Sequence, residues 1–155
     1  MDYIYRVSFI GHRQVEHFRD VEEQLTKIVK DLIRSKEFVE FYIGRNGDFD
    51  ILAASVIKRV QENYGKSNNS LILVIPYQIA DLEYMEKYYD EIWYPYELQG
   101  VHYKSAITKR NEWFVEHSDL RVAYVTKDHG GAYDCMKKAQ QKGVFVARIG
   151  GITSV

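Results

Sequence analysis

The chain has a single cysteine, Cys135, which excludes an internal disulfide and any cysteine-cluster metal site. Such cysteine usage fits a reducing, intracellular setting, and cytoplasmic localisation is the expectation. Charge of one sign is also missing. With 21 Lys+Arg against 22 Asp+Glu the formal net charge is −1, so overall balance advertises neither a nucleic-acid-binding stripe nor an acidic tail. No apolar run approaches the roughly 18 residues that span a bilayer, and Met1 to Arg13 lacks the basic region and long apolar stretch of a secretion signal. No membrane partner and no nucleic-acid partner are expected. The five histidines lack the close spacing of a metal motif, so no metal site is expected either. Neither Gly-x-Gly-x-x-Gly nor Gly-x-x-x-x-Gly-Lys-Ser/Thr occurs, which removes the dinucleotide fingerprint and the P-loop. No repeat or low-complexity segment is present.

What is present suits a folded protein. At 155 residues, 46% hydrophobic and 28% charged, the chain is long enough for one domain over 1–155 and too apolar for disorder. Short apolar runs alternate with segments of helical period, the pattern of a parallel sheet covered by helices. Tyr3 to Phe9 reads as a strand ended by Gly11-His12-Arg13. Val15, Phe18, Val21, Leu25, Ile28, Val29, Leu32 and Ile33 then recur at three and four, an amphipathic helix of about five turns. Phe38 to Ile43 is a second strand, closed by Gly44-Arg45-Asn46-Gly47, after which Asp48 or Asp50 can cap a helix carrying Ile51, Ala54, Ile57 and Val60.

Gly65 to Ser70 is a surface loop by composition. Leu71 to Ile75 is a strand buried on both faces and stopped by Pro76. A short helix follows over Ala80 to Tyr89, and a brief extended piece over Ile92 to Pro95. Ser105 to His117 reads as a helix, Leu120 to Val125 as a strand, Gly130-Gly131 as the turn into a helix through Lys142, and Val144 to Ile149 as the last strand. The expected fold class is α/β, a three-layer Rossmann-like sandwich with a mainly parallel sheet of five or more strands.

Right-handed crossovers place all strand C-terminal ends of such a sheet on one rim, where ligands bind. The loops that reach it are Gly11 to Gln14, Gly44 to Asp50, Pro76 to Gln78 and Thr126 to Ala132. Gly130-Gly131 follows a strand and opens a helix, so its N–H groups can face an anion; the plainer reading is a tight turn. Two further glycine turns, at Gly11 and Gly44, converge on the same rim and favour the anion. Arg13, Arg45 and Arg110 lie on or near these loops, and guanidinium groups grip phosphate through paired donors. His12 is the best-placed group for proton transfer, against the alternative of a hydrogen-bonded turn residue. Asp48, Asp50 and Asp119 can each orient a ribose or cap a helix or turn. Tyrosine is over-represented, at 13, with many in Tyr84 to Tyr103, a belt suited to an interface, a stacking surface or a partly exposed core edge.

Taken together, Phe9-Ile10-Gly11-His12-Arg13, Phe41 to Asp50, Ile107-Thr108-Lys109-Arg110-Asn111-Glu112-Trp113, Ser118-Asp119 and Gly130-Gly131-Ala132-Tyr133 resemble the YpsA-like branch of the SLOG superfamily. That superfamily unites the Rossmann-like domains of DprA and LOG (lysine decarboxylase-like) proteins, and the resemblance covers nearly the whole chain in order. In LOG enzymes, which cleave the N-glycosidic bond of nucleoside monophosphates, an Arg-Lys pair on a helix precedes Ser-Asp and a Pro-Gly-Gly-x-Gly-Thr-x-x-Glu loop. Arg110 falls at the arginine, but Asn111 replaces the lysine, His129 the proline and Tyr133-Asp134 the Gly-Thr, while Met136-Lys137 stand where glutamates are expected. Glycoside cleavage needs a carboxylate that methionine or lysine cannot replace, so the phosphate turn carries over and the hydrolase chemistry does not.

The resemblance implies a pocket for a nucleotide or a nucleotide-derived signal such as an ADP-ribose species, in a sensor or sequestering protein of phage defence or counter-defence, and a homo-oligomer by analogy. The expected ligand-binding set is Gly11, His12, Arg13, Gly44, Asn46, Gly47, Asp50, Arg110, Asn111, Gly130, Gly131 and Ala132, with no cofactor. Gly130, Gly131 and Ala132 would present donors to a phosphate that Arg110 neutralises. Two other classes stay open: an N-glycosidase or ribosyltransferase using His12, Asp50, Arg110 or Asp119, and a regulatory module docking through the tyrosine belt.

Overall fold

The computed structural model describes residues 3–150. Its elements follow the apolar pattern in order: β1 (Ile4–Gly11), α1 (Phe18–Ser35), β2 (Phe38–Ile43), α2 (Asp48–Tyr64), β3 (Asn69–Val74), α3 (Leu82–Tyr88), β4 (Glu91–Trp93), a 3-10 turn at Tyr96–Leu98, α4 (Tyr103–Glu116), β5 (Leu120–Tyr124), α5 (Gly131–Gln141) and β6 (Phe145–Ile149). Six strands pair in the order β4-β3-β2-β1-β5-β6, every pair parallel. The protein is thus a three-layer, Rossmann-like α/β sandwich. The brief extended piece expected over Ile92 to Pro95 is the sixth strand, an edge strand held by Ile72↔Glu91, Leu73↔Ile92 and Val74↔Trp93. Val15 lies before α1 rather than in it, yet still packs against the core.

Side chains alternate across the strands and so sort the helices into two layers. Val7, Phe9, Phe41, Ile43, Leu71, Leu73, Val122 and Tyr124 point to one face, where they form the main core with Leu25 and Val29 of α1, Leu52 and Ile57 of α2, and Met85 of α3. The other face carries two smaller clusters. Tyr42, Ile72 and Val74 pack under Trp113 and Phe114 of α4; Ala123 and Val125 pack under Met136 of α5. Because α4 covers β2 and β3 while α5 covers β5, a groove runs between these helices above β1. The chain winds outward from β1 to β4 and then returns to the far side of β1, so that groove lies at the topological switch point, where open α/β sheets bind ligands.

The tyrosine-rich stretch does not form one belt. Tyr89 is buried in the main core, whereas Tyr84 is exposed on α3 and Tyr103 on α4, helices that cover opposite faces of the sheet.

The C-terminal ends of β1, β2 and β5 are knitted tightly. The ring of Phe49, in the first turn of α2, stacks on Tyr124 with centroids 5.5 Å apart. Gly11 passes beneath them; a Cβ there would fall 2.5 Å from the Phe49 ring and 2.9 Å from Tyr124 Cβ. Glycine is required by this close approach, not by an unusual backbone angle. Gly11→Ala should therefore lower the unfolding free energy by about 1–3 kcal/mol, the usual cost of overpacking a core, in chemical denaturation. A midpoint unchanged from wild type would show that the knot yields freely.

Candidate functional site

Three loops meet at the groove. The β2–α2 turn is seated on β1's continuation: the Asp48 N–H donates to the Arg13 carbonyl at 2.8 Å, and a Cβ on Gly47 would lie 2.7 Å from Arg13 Cα. Asp50 sits at the third position of α2 and accepts through Oδ2 at 2.9 Å from the N–H of Asn46, the residue before the N-cap Gly47. Asp48, at the first helical position, makes no such bond and faces solvent. From the β5 side, the Thr126 N–H donates to His12 Nε2 at 3.0 Å, and the His12 ring meets Tyr124 edge-on at 5.4 Å. His12 is therefore the hydrogen-bonded turn residue, with Nε2 engaged as an acceptor.

Together these loops and helices enclose a cleft of about 290 Å³. Gly11, His12 and Arg13 close one end with Asn46, Gly47 and Asp50. One wall is Thr108, Arg110 and Asn111 of α4, and the other is Gly131, Ala132 and Cys135 of α5. Ten of the twelve expected ligand-binding residues line it. Gly44 does not: the guanidinium of Arg110 lies over its backbone, and a Cβ there would fall 2.6–2.9 Å from three guanidinium atoms. Its missing side chain makes room for an arginine rather than for a ligand. Gly130 is the N-cap of α5, with φ 96°, and stands just outside the lining; no side chain caps this helix. Arg45 likewise lies away from the cleft, its Nη1 on Met85 Sδ. Asp119 is on the opposite rim, before β5, where its carboxylate accepts from the Arg6 N–H at 2.9 Å. That position removes it from any chemistry in the cleft.

Charge dominates this site. Arg110 is only 3% exposed. Its Nη1 donates to the Val74 carbonyl at 3.2 Å, its Nε to Asn111 Oδ1 at 3.2 Å and its Nη2 to Asn46 Oδ1, all neutral acceptors. Burial pushes its pKa down, partly offset by the charge of Asp50. A second guanidinium lies deeper. Arg121 is fully buried on β5, beside Ser8 of β1, with long contacts of 3.4 Å from Nε to Ser8 Oγ and 3.5 Å from Nη2 to the Asn111 carbonyl. Its Nη1 has no partner.

The Phe114 ring lies 5.1 Å from the Arg110 guanidinium carbon and 6.0 Å from that of Arg121. Neither arginine has a carboxylate within 4 Å, whereas the five ion pairs among the described residues all involve partly exposed side chains. Burial pushes the Arg121 pKa down to about 10, so holding it charged at neutral pH costs the folded state on the order of 3 kcal/mol. Burial also raises the carboxyl of Asp50, the one carboxylate among the cleft's lining residues, against the lowering effect of the Asn46 N–H and of the Arg110 charge.

Arg121 is not among the residues that the sequence singles out, since Leu120 to Val125 reads there simply as a strand. The available signal was a charged residue inside Leu-Arg-Val-Ala-Tyr, in a strand that the sheet order makes internal. Asn111, placed where the LOG pattern has lysine, turns out to feed both arginines, one through its side-chain oxygen and one through its carbonyl. A lysine there would add a third cation in place of the side-chain acceptor. Among the described residues no group of three or more metal-ligating side chains is found, and no helix is long and apolar enough to cross a membrane.

Two outcomes follow from this geometry. Replacing an unpaired buried cation by an apolar side chain of similar length removes a desolvation cost, so Arg121→Met should raise the unfolding midpoint of the ligand-free protein. A lowered midpoint would show that Arg121 is there to stabilise the fold. Burial foremost, and Lys127 after it, lower the His12 pKa from its ordinary value near 6.5, with Glu16 opposing. The unfolded chain then binds its proton first, so the stability contributed by neutral His12 is complete above about pH 6.5 and declines as pH falls below it. In urea melts from pH 7.5 to 5, His12→Gln should flatten that decline, and an unchanged profile would contradict the assignment.

No family model matches the chain, and no curated protein matches it.

Proposed function

We propose that this protein binds a nucleotide or a nucleotide-derived small molecule through its phosphate in the cleft between α4 and α5, as a sensor or sequestering protein rather than as an enzyme. The observation that carries the reading is Arg110, buried in the cleft wall with neutral acceptors only, and near it Arg121, which does not line the cleft but adds a second buried charge with one nitrogen wholly unpaired. Buried charges are ordinarily paired, and an unpaired one is costly. A bound dianion would supply the missing charge. The α5 N-terminus, left without a side-chain cap, adds N–H donors and the positive end of its dipole at the same wall. A cleft of about 290 Å³ is at the small end for ligand pockets and has room for the phosphate and sugar of a nucleotide.

Binding is favoured over turnover by the acid–base inventory. Asp50 has one oxygen committed to Asn46, His12 has Nε2 committed to Thr126, and Asp119 is on the far rim. The site lacks the pair of free carboxyl groups that glycosidic cleavage uses. The resemblance to SLOG domains supports the same ligand class, with ADP-ribose species among the candidates, and brings a homo-oligomer with it as the assembly to look for. Cytoplasmic action in phage defence or counter-defence belongs to that same reading.

Calorimetric titration with adenosine 5′-monophosphate, NAD and ADP-ribose tests it. At least one should bind with Kd in the micromolar range, and Arg110→Met should weaken that binding by about 10-fold or more, since hydrogen bonds to charged groups contribute about 1.5–3 kcal/mol. Binding no tighter than millimolar for all three, or release of free base or ribose phosphate during incubation, would overturn the proposal.

A further inference from the structure

We infer that a second compartment, across Arg110 from the cleft, is the seat of a planar nucleobase carried by the same ligand. This rests on the phosphate-binding reading above and assigns the other half of the molecule. The compartment measures about 150 Å³. Cavities of that size with apolar walls take up a benzene-sized ring. Its walls are Leu73 and Ile75 at the end of β3, Pro76 and Ile79 of the following loop, and Met85 of α3, whose thioether is a favourable neighbour for an aromatic ring.

The two spaces adjoin. Asn46 and Arg110 line both spaces, and no other residue does. Arg110 reaches the Val74 carbonyl with one nitrogen and Asn46 with another, so the guanidinium is a fixed partition with apolar space on one side and the α5 N-terminus on the other. A molecule with an anionic end and an aromatic end fits across that partition: the phosphate and sugar in the larger cleft, the ring in the smaller. Two polar groups in the smaller space, the carboxylate of Asp81 and the guanidinium of Arg45, supply an acceptor and donors for the edge of a heterocycle. Arg45 is held there only by a sulfur, a weak acceptor, and keeps donors free. An unsubstituted phenyl ring would use neither.

The test compares ribose 5-phosphate with adenosine 5′-monophosphate by calorimetry in wild type, Ala80→Trp and Asp81→Ala. Ala80 and Asp81 are exposed residues that line the compartment. In wild type the nucleotide should bind at least 10-fold tighter than ribose 5-phosphate. Ala80→Trp should fill the space and erase that advantage while ribose 5-phosphate affinity stays within about twofold. Asp81→Ala should weaken the nucleotide several-fold by the same criterion, and gives the answer independently if the tryptophan variant unfolds.

Equal affinities in wild type, or nucleotide binding untouched by both variants, would overturn the base seat while leaving phosphate binding in place. If neither compound binds wild type, the phosphate reading fails and this inference fails with it.

Discussion

Two positive charges buried with no carboxylate in ion-pair contact are the constraint around which the site is arranged. A guanidinium in a protein interior usually sits beside a carboxylate, because desolvating an ion costs several kcal/mol and only a close counter-charge with good geometry recovers it. Arg110 and Arg121 instead lean on carbonyls, an amide, a hydroxyl and the face of Phe114. Cation–π contact recovers up to about 2 kcal/mol when desolvated, which is less than the cost. With whole-domain stabilities of only about 5–15 kcal/mol, such an arrangement weighs on the fold. It becomes intelligible if an anion completes it.

The fold explains why these charges can be kept where they are. β1 is the hinge of the winding, flanked by β2 on one side and β5 on the other, and helices reach its upper face only from the sides. Arg121 comes from β5, Arg110 from α4, and Phe114 separates them, so the positive field concentrates in the groove that the topology leaves open. The loops at the rim are then fixed by contacts that have little to do with a ligand: Gly11 under Phe49, Gly47 on Arg13, His12 on Thr126. A rim made rigid before binding spares the ligand the entropy of ordering it.

Much of this was legible in the chain itself. Periodicity alone separates the strands from the helices, and the run Leu71 to Ile75 announces a strand buried on both faces, as it is. The three glycine turns do arrive at one rim. Their individual uses were not legible, because a glycine in sequence does not say what approaches it. In two of these turns Gly11 admits a phenyl ring, Gly44 a guanidinium and Gly47 a neighbouring backbone, so Gly11 and Gly47 serve packing at the rim and Gly44 serves Arg110. Of the two uses open to Asp119, orienting a ribose is removed because it precedes its strand, and residues before a strand of a parallel sheet lie on the opposite edge from those after it. The sequence shows a charged residue inside β5, and only the neighbours of the folded state show that Arg121 has no carboxylate in ion-pair contact.

The central claim is that the groove is an unfilled seat for a dianion, and anion-dependent thermal unfolding tests it most directly. In phosphate against chloride at matched ionic strength, the wild-type midpoint should climb with the logarithm of phosphate concentration, and the climb should be largely lost in Arg121→Met, whose response measures the general salting effect of phosphate. Equal slopes for the two proteins would mean that the buried arginines hold no anion, and the account would be wrong.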